Sequence, residues 1–272
     1  MADVRFLDTG EVRLRCLDFG GSGPPVLLLH GLCGTADEWA EVGTWLRDRA
    51  HVVAFDQRGH GQSTRRPGDV SQQAFVRDAA SVIASLNLVD AIVVGQSMGG
   101  RTALLLAAAH PHVVRGLVLI EASPAQNPAA VESLGQLLAK WPSSFGSRKE
   151  AEGFFAGPGL TAAAYVANLA EDDGRFRPQF DADVMLEAIH DVADSDYWDW
   201  WKRVQAPTLV VGAENGTIPR TDYARMLMRN QNATFREIGG AGHDVHLERP
   251  EELKDLVAQF LDERVPQAGG LS

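Results

Sequence analysis

The sequence predicts an α/β fold: a doubly wound, mostly parallel sheet with a helical cap inserted between two strands. Three observations carry that expectation. Short apolar runs recur without polar alternation, segments of helical period separate them, and the alternation lapses between Ala122 and Val204 before it resumes. A continuous apolar run means burial on both faces, which a parallel sheet covered by helices supplies.

The elements follow in order. Val26–Leu29 comes after Gly23-Pro24-Pro25 and reads as a fully buried strand, and Val52–Phe55 is the second. Phe75 to Leu86 sets Phe75, Ala79, Val82, Ile83 and Leu86 on one helical stripe, closed by Asn87. Ala91–Val94 is the third strand, and the Ala/Leu-rich helix Thr102–Ala109 stops at His110-Pro111. Leu117–Ile120 is the fourth strand. The stretch from Ala122 to Val204 gives no strand signal, several helix-like pieces, and four of the six tryptophans: Trp141, Trp198, Trp200 and Trp201. The strand pattern returns at Thr208–Val211 and Thr234–Ile238. Pro250 then opens a helix carrying Leu253, Leu256, Val257 and Phe260 on one face. This divides the chain into a first core segment 1–122, a cap 123–204 and a second core segment 205–272.

Composition narrows the partners. A chain of 272 residues and 29.4 kDa fits one large α/β domain. The formal charge of −11 argues against nucleic acid or an anionic membrane surface as partner, and it suits an uncharged small-molecule substrate better than an anionic one. No apolar run approaches the roughly 20 residues a membrane span needs, and no signal peptide is visible, so a cytoplasmic location is expected. Cys16 and Cys33 cannot build a disulfide framework and read as free thiols.

Four segments can carry chemistry. Gly95-Gln96-Ser97-Met98-Gly99 lies between a strand and a helix, the context in which G-x-S-x-G lifts a nucleophilic serine on a strained turn. His30-Gly31-Leu32-Cys33-Gly34 ends the first strand at the same sheet edge. There the Leu32 and Met98 amides can bind a developing oxyanion, while His30 itself reads as a loop-shaping residue. Gly239-Gly240-Ala241-Gly242-His243 follows the last strand and brings His243 within reach of Ser97 as a base. His246 nearby is too little for a metal site, and no metal or organic cofactor is expected. Asp56 to Ser63, with Asp56 and Arg58, reads as architecture, and Arg101 as an exposed helix residue.

Together His30-Gly31, Asp56-Gln57-Arg58-Gly59-His60-Gly61, Gly95 to Gly100 and Gly242-His243 resemble the α/β-hydrolase superfamily over nearly the whole chain. The resemblance implies Ser97 as nucleophile, His243 as base, and Leu32 and Met98 as oxyanion donors. One departure matters. Where the family carries Gly-x-x-Asp, this chain has Gly212-Ala213-Glu214-Asn215, and an amide cannot stabilise an imidazolium by charge. Glu121, ending the fourth apolar run, and Glu214 are the candidate acids. Glu121 is favoured because some relatives, haloalkane dehalogenases and zearalenone lactonases among them, take their acid from that strand end. Serine rather than aspartate at position 97 disfavours dehalogenase and epoxide-hydrolase chemistry.

The expected reaction is hydrolysis of a carboxylic ester or lactone through an acyl-enzyme, with Trp141, Phe154, Tyr165 and Trp198 of the cap contacting an apolar, cyclic or aromatic substrate. Three alternatives stay open: carbon–carbon bond hydrolysis or elimination on the same fold, with Arg101 on a substrate carboxylate; a non-catalytic small-molecule-binding protein, which Asn215 favours; and perhydrolase side activity. The sequence does not set the oligomeric state.

Overall fold

The computed structural model describes residues 2–156 and 162–265. The end of the second core segment, 266–272, and residues 157–161 of the inserted segment lie outside the described residues. Strands β1 (Asp3–Asp8), β2 (Arg13–Gly20), β3 (Pro25–Leu29), β4 (His51–Phe55), β5 (Ala91–Gln96) and β6 (Val114–Ile120) precede the inserted segment. Within that segment lie β7 (Leu169–Asp172) and β8 (Arg175–Pro178); β9 (Thr208–Ala213) and β10 (Ala233–Ile238) follow it. The principal sheet has the order β1-β2-β4-β3-β5-β6-β9-β10. It is parallel from β4 through to β10, and β2 pairs antiparallel with both β1 and β4.

The six strand-like runs are the six parallel strands. Alternation of side chains explains why the five inner ones are apolar, while β10, at the edge, exposes Arg236 and Glu237. Leu27 and Leu29 enter one hydrophobic cluster, with Val53, Phe55 and Val93. Val26 and Leu28 enter the cluster on the other face, with Val52, Ala54, Ile92 and Val94. Each fully buried side chain of this kind is worth about 1.5–3 kcal/mol of transfer free energy, so neither face tolerates a polar residue. Helices α1 (Ala40–Leu46), α2 (Gln72–Ser85) and α3 (Met98–Ala109) connect the first parallel strands.

Between β6 and β9 come α4 (Pro128–Lys140), α5 (Arg148–Phe155), α6 (Ala162–Ala167), α7 (Ala182–Asp194) and α8 (Trp198–Trp201). The expectation that this segment holds no strand is corrected. β7 and β8 form an antiparallel hairpin whose turn residues Asp173 and Gly174 have φ of 49° and 69°. Asp-Gly is the dipeptide such a turn requires, so the signal was present in the sequence. The β1–β2 hairpin is likewise additional to the sequence reading. Its largely exposed strand β1 breaks the continuous apolar pattern that marks the inner strands. Helices α9 (Arg220–Arg229), α10 (Val245–Glu248) and α11 (Pro250–Arg264) complete the fold. No described helix is long and apolar enough to cross a membrane.

Candidate active site

Ser97 stands between β5 and α3 with φ 52° and ψ −116°, a conformation that costs a residue with a Cβ roughly 1–3 kcal/mol. Two glycines make the turn possible. A Cβ on Gly95 would fall 2.3 Å from the Gly99 carbonyl oxygen, and one on Gly99 would fall 2.3 Å from that of Leu29. Met98 opens α3, so its N–H has no intrahelical acceptor. Leu32 and Met98 both line the cavity that contains Ser97 and His243.

Network contacts fix the β3 loop that carries Leu32. His30 Nδ1 donates to the Gly31 carbonyl at 2.7 Å, and its Nε2 accepts from the Gln57 amide at 2.9 Å. Asp56 accepts from the Ala36 amide at 2.7 Å, from Gln62 N at 2.8 Å and from Arg15 Nη1 at 3.2 Å. Arg58 grips Asp78 through two bonds of 2.7 and 2.8 Å. These buried groups hold loops and do not line the cavity.

The acid question is geometric. Glu121 lies at the end of β6 with φ 46°, and its side chain is fully buried. Its Oε2 is 3.2 Å from His243 Nδ1 and accepts from the Thr217 amide at 2.8 Å. Its Oε1 accepts from the Ala213 amide at 2.9 Å and from the Tyr223 hydroxyl at 2.6 Å. Burial pushes the Glu121 carboxyl up, but these donors, His243 and Tyr223 foremost, more than offset it and hold the group below its usual range. Burial likewise opposes charge on His243, yet the bond to Glu121 and the neighbouring charges of Asp244 and Glu248 leave its pKa raised. Thr217 Oγ1 also approaches His243 Nδ1, at 3.1 Å.

The alternative acid, Glu214, is exposed and accepts from the Gly240 amide at 2.7 Å. Asn215 has an exposed side chain, and its amide donates to the Ala241 carbonyl at 2.9 Å. The backbone that would ordinarily carry the acid instead closes over Glu121. A Cβ on Gly216 would lie 2.3 Å from each Glu121 carboxylate oxygen. Gly216→Ala is therefore expected to push the carboxylate off His243 and lower kcat by about 10²-fold, the scale of a misplaced catalytic group. Steady-state kinetics beside a near-UV spectrum of the folded variant check this. Tyr223 and Thr217, which hold Glu121, were not found from sequence; no motif links them to a residue about a hundred positions earlier.

The cavity holds about 460 Å³ and is bounded by residues of the sheet edge together with α4, α6 and α7 of the inserted segment. Of the four aromatics expected to contact substrate, Tyr165 lines it. Trp141, Phe154 and Trp198 are not among its described lining residues, and that expectation is corrected. Trp141 and Phe154 pack in the aromatic cluster behind Tyr165. Trp198 is buried in the core with α3 residues, and the Arg225 guanidinium lies 3.9 Å from its ring centroid. Large rings in a small inserted segment are needed to give it a core of its own. Arg101 is also corrected: it is buried, lines the cavity, and donates from Nη2 to the Ser123 and Ala125 carbonyls at 3.3 and 2.9 Å.

His243 and His246 point apart. His246 Nε2 contacts Glu38 Oε1 at 3.2 Å, and its ring stacks on Trp39. Among the described residues no group of three or more His, Cys, Asp or Glu is placed to hold a metal. Cys16 and Cys33 are free and buried, and burial raises both thiol pKa values, that of Cys16 to about 12.

Residues 24–250 match the family model for the α/β hydrolase fold, so the chain belongs to that family. Within it, its relatives are hydrolases. The chain is 32% identical to the esterase Rv0045c of Mycobacterium tuberculosis, over 97% of this chain and 91% of that protein. It is 28% identical to the mouse (Mus musculus) sn-1-specific diacylglycerol lipase ABHD11, over 96% and 87%. The crystal structure of E-2-(acetamidomethylene)succinate hydrolase superposes with a TM-score of 0.87 at 27% identity, covering 96% of this chain and 100% of that one.

Proposed function

We propose that this protein is a serine hydrolase that cleaves a carboxylic ester or lactone of an apolar, cyclic or aromatic small molecule through an acyl-enzyme. The observation that carries the reading is the buried Glu121 carboxylate 3.2 Å from His243 Nδ1, in a cavity wall shared with the strained Ser97. Glu121 keeps the proton on Nδ1, which leaves Nε2 as the base. Ser97 Oγ attacks the acyl carbon while Nε2 takes its proton, and the carbonyl electron pair moves onto oxygen. The Leu32 and Met98 amides receive that oxyanion, at roughly 3 kcal/mol per donor in comparable sites. Collapse breaks the bond to the alkoxy oxygen, which takes the proton from His243. Water, deprotonated by the same nitrogen, then attacks the acyl-enzyme and frees the acid and Ser97.

The apolar lining of Leu32, Met98, Val131, Leu134, Ile189 and Ile218 supports an apolar substrate body. The esterase and lipase names of its relatives support ester cleavage. Asn215 favours a non-catalytic binding protein; Glu121 beside His243 supports catalysis instead. The buried, free Cys16 and Cys33 suit the reducing cytoplasm we assign to the protein.

Intact-mass analysis with a fluorophosphonate tests the reading. A single adduct on the wild type, absent from Ser97→Ala, is expected. No adduct on folded protein whose cavity still binds a small ligand would overturn it.

A further inference from the structure

Two half-buried polar groups described in the cavity wall are left over once the proposed chemistry and the fold have taken what they need. The first is the Tyr165 hydroxyl. Its ring is wedged between Trp141, at 5.1 Å and 86°, and Phe155, at 4.9 Å and 28°. That wedge fixes the side chain, yet among the described residues its hydroxyl has no hydrogen-bond partner. The second is the Asp244 carboxylate. Its one hydrogen-bonding contact among the described residues is a long one, 3.5 Å from Gln96 Nε2. A buried or half-buried carboxylate ordinarily gathers two or three donors.

The other charged groups around the cavity are committed. Glu38 accepts from the Asn168 amide at 3.1 Å, contacts His246 at 3.2 Å, and accepts from the Thr35 amide at 3.4 Å. Glu121 is filled by its four donors. Arg101 spends Nη2 on the carbonyls of Ser123 and Ala125. Tyr165 and Asp244 line the same cavity, and burial, then the neighbouring Cys33, Asp244 and Glu38 side chains, push the tyrosine hydroxyl pKa well up. Burial also raises the Asp244 carboxyl, and the charges of Glu38 and Glu248 add to this while His243 and His246 oppose it. A donor is what this corner lacks.

We propose that Tyr165 and Asp244 form a recognition subsite for a positively charged group, a primary ammonium, carried on the apolar body of the acyl substrate, and that the same subsite rejects carboxylate-bearing substrates. The assignment rests on the serine-hydrolase reading. The ammonium donates to the Asp244 carboxylate and to the Tyr165 hydroxyl oxygen, filling both vacant acceptors. A carboxylate there would face Asp244 with Glu38 behind it, and like charges brought together in a half-dry cavity are strongly unfavourable. The net charge of −11 draws a cation toward the molecule in the same sense. This sets the cavity apart from that of a relative named for a succinate, whose substrate carries carboxylates.

The test uses three amides of one chain length: heptanamide, 6-aminohexanamide and the monoamide of adipic acid, with the matching 4-nitrophenyl esters. Binding of the amides to Ser97→Ala, read by calorimetry, is expected to run cation, neutral, anion, with at least about tenfold between the ends, a gap of about 1.4 kcal/mol. In kcat/KM the wild type is expected to give the same order. Asp244→Asn should bring the cation and anion within about threefold of each other, Asp244→Glu should restore the preference, and Tyr165→Phe should weaken cation binding several-fold. Dividing each value by that for the neutral ester removes any general effect of position 244 on the neighbouring His243.

An anion bound as tightly as the cation, or a charge order that survives Asp244→Asn, overturns the subsite. Should Asp244→Asn not fold, cation affinity unchanged in Tyr165→Phe overturns it instead. The two readings fail separately. Neutral-ester turnover without a charge order removes the subsite alone, whereas a charge order in binding without any ester turnover removes the hydrolase reading and keeps the subsite.

Discussion

Ser97→Ala is expected to lower kcat for the best ester by about 10⁶-fold, and adding His243→Ala to that variant is expected to cost little more. The reason is that the two side chains act as one device. The strained turn exposes Ser97, but its hydroxyl is a weak nucleophile until a base removes the proton, and His243 has nothing to deprotonate once the hydroxyl is gone. Removing either therefore removes the whole covalent route. In the proposed mechanism the catalysis left in both variants is what the Leu32 and Met98 amides and substrate positioning supply. Single-turnover kinetics on the two single variants and the double variant form the cycle. Additive losses would mean that Ser97 and His243 act independently, against the proposed mechanism.

Glu121→Gln is expected to lower kcat by about 10³-fold or more, while Glu214→Gln changes it little. The glutamine is nearly isosteric, and its oxygen can keep the bonds from Ala213 and Tyr223 that Glu121 Oε1 receives. Its nitrogen must then face the Thr217 amide and His243 Nδ1, both donors in the native arrangement. His243 relieves that clash by moving its proton to Nε2, and a protonated Nε2 cannot act as base. The pH profile gives a second readout. In the native protein Glu121 is the leading cause that raises His243, against the opposing effect of burial. The base becomes available only as pH climbs through that raised pKa. Removing the charge lowers it, so the acid limb of the kcat/KM profile should move to lower pH even as the plateau falls. For stability the two signs differ. The His243 contribution is full where the unfolded histidine is already protonated and fades as pH rises through its raised folded-state pKa. The Glu121 contribution is full above the unfolded carboxyl pKa and fades as pH falls through its lowered one, so the pair favours the folded state most between those limits. Equal, small losses from Glu121→Gln and Glu214→Gln would sink the assignment.

Much of this arrangement was legible before any coordinates. Continuous apolar runs mark the five inner parallel strands because a strand buried on both faces has little room for a polar residue; the edge strand β10 keeps Arg236 and Glu237 exposed. Ser97 was legible because the glycines at 95 and 99 leave a sterically forced signature, 2.3 Å from backbone oxygens. Glu121 stood out as a charge at the end of an apolar run. These signals are local: each is a constraint that a few neighbouring residues must satisfy together.

The tertiary structure alone decided the rest. Between Glu121 and Glu214 the sequence offers a preference; in the tertiary structure it is Glu121 that lies against His243, with Tyr223, Thr217 and Gly216, from a different loop and helix, closing on its carboxylate. The aromatics of the inserted segment could not be sorted from their spacing, because a ring that packs a core and a ring that faces a cavity obey the same hydrophobic rule. Trp198 went to the core and Tyr165 to the cavity. Arg101 had the spacing of an exposed helix residue and is buried all the same, since the acceptors for its guanidinium, the carbonyls of Ser123 and Ala125, lie just beyond the next strand. What the chain must bury is written along it. Which polar groups then meet inside depends on contacts between residues a hundred positions apart, and no local pattern records those.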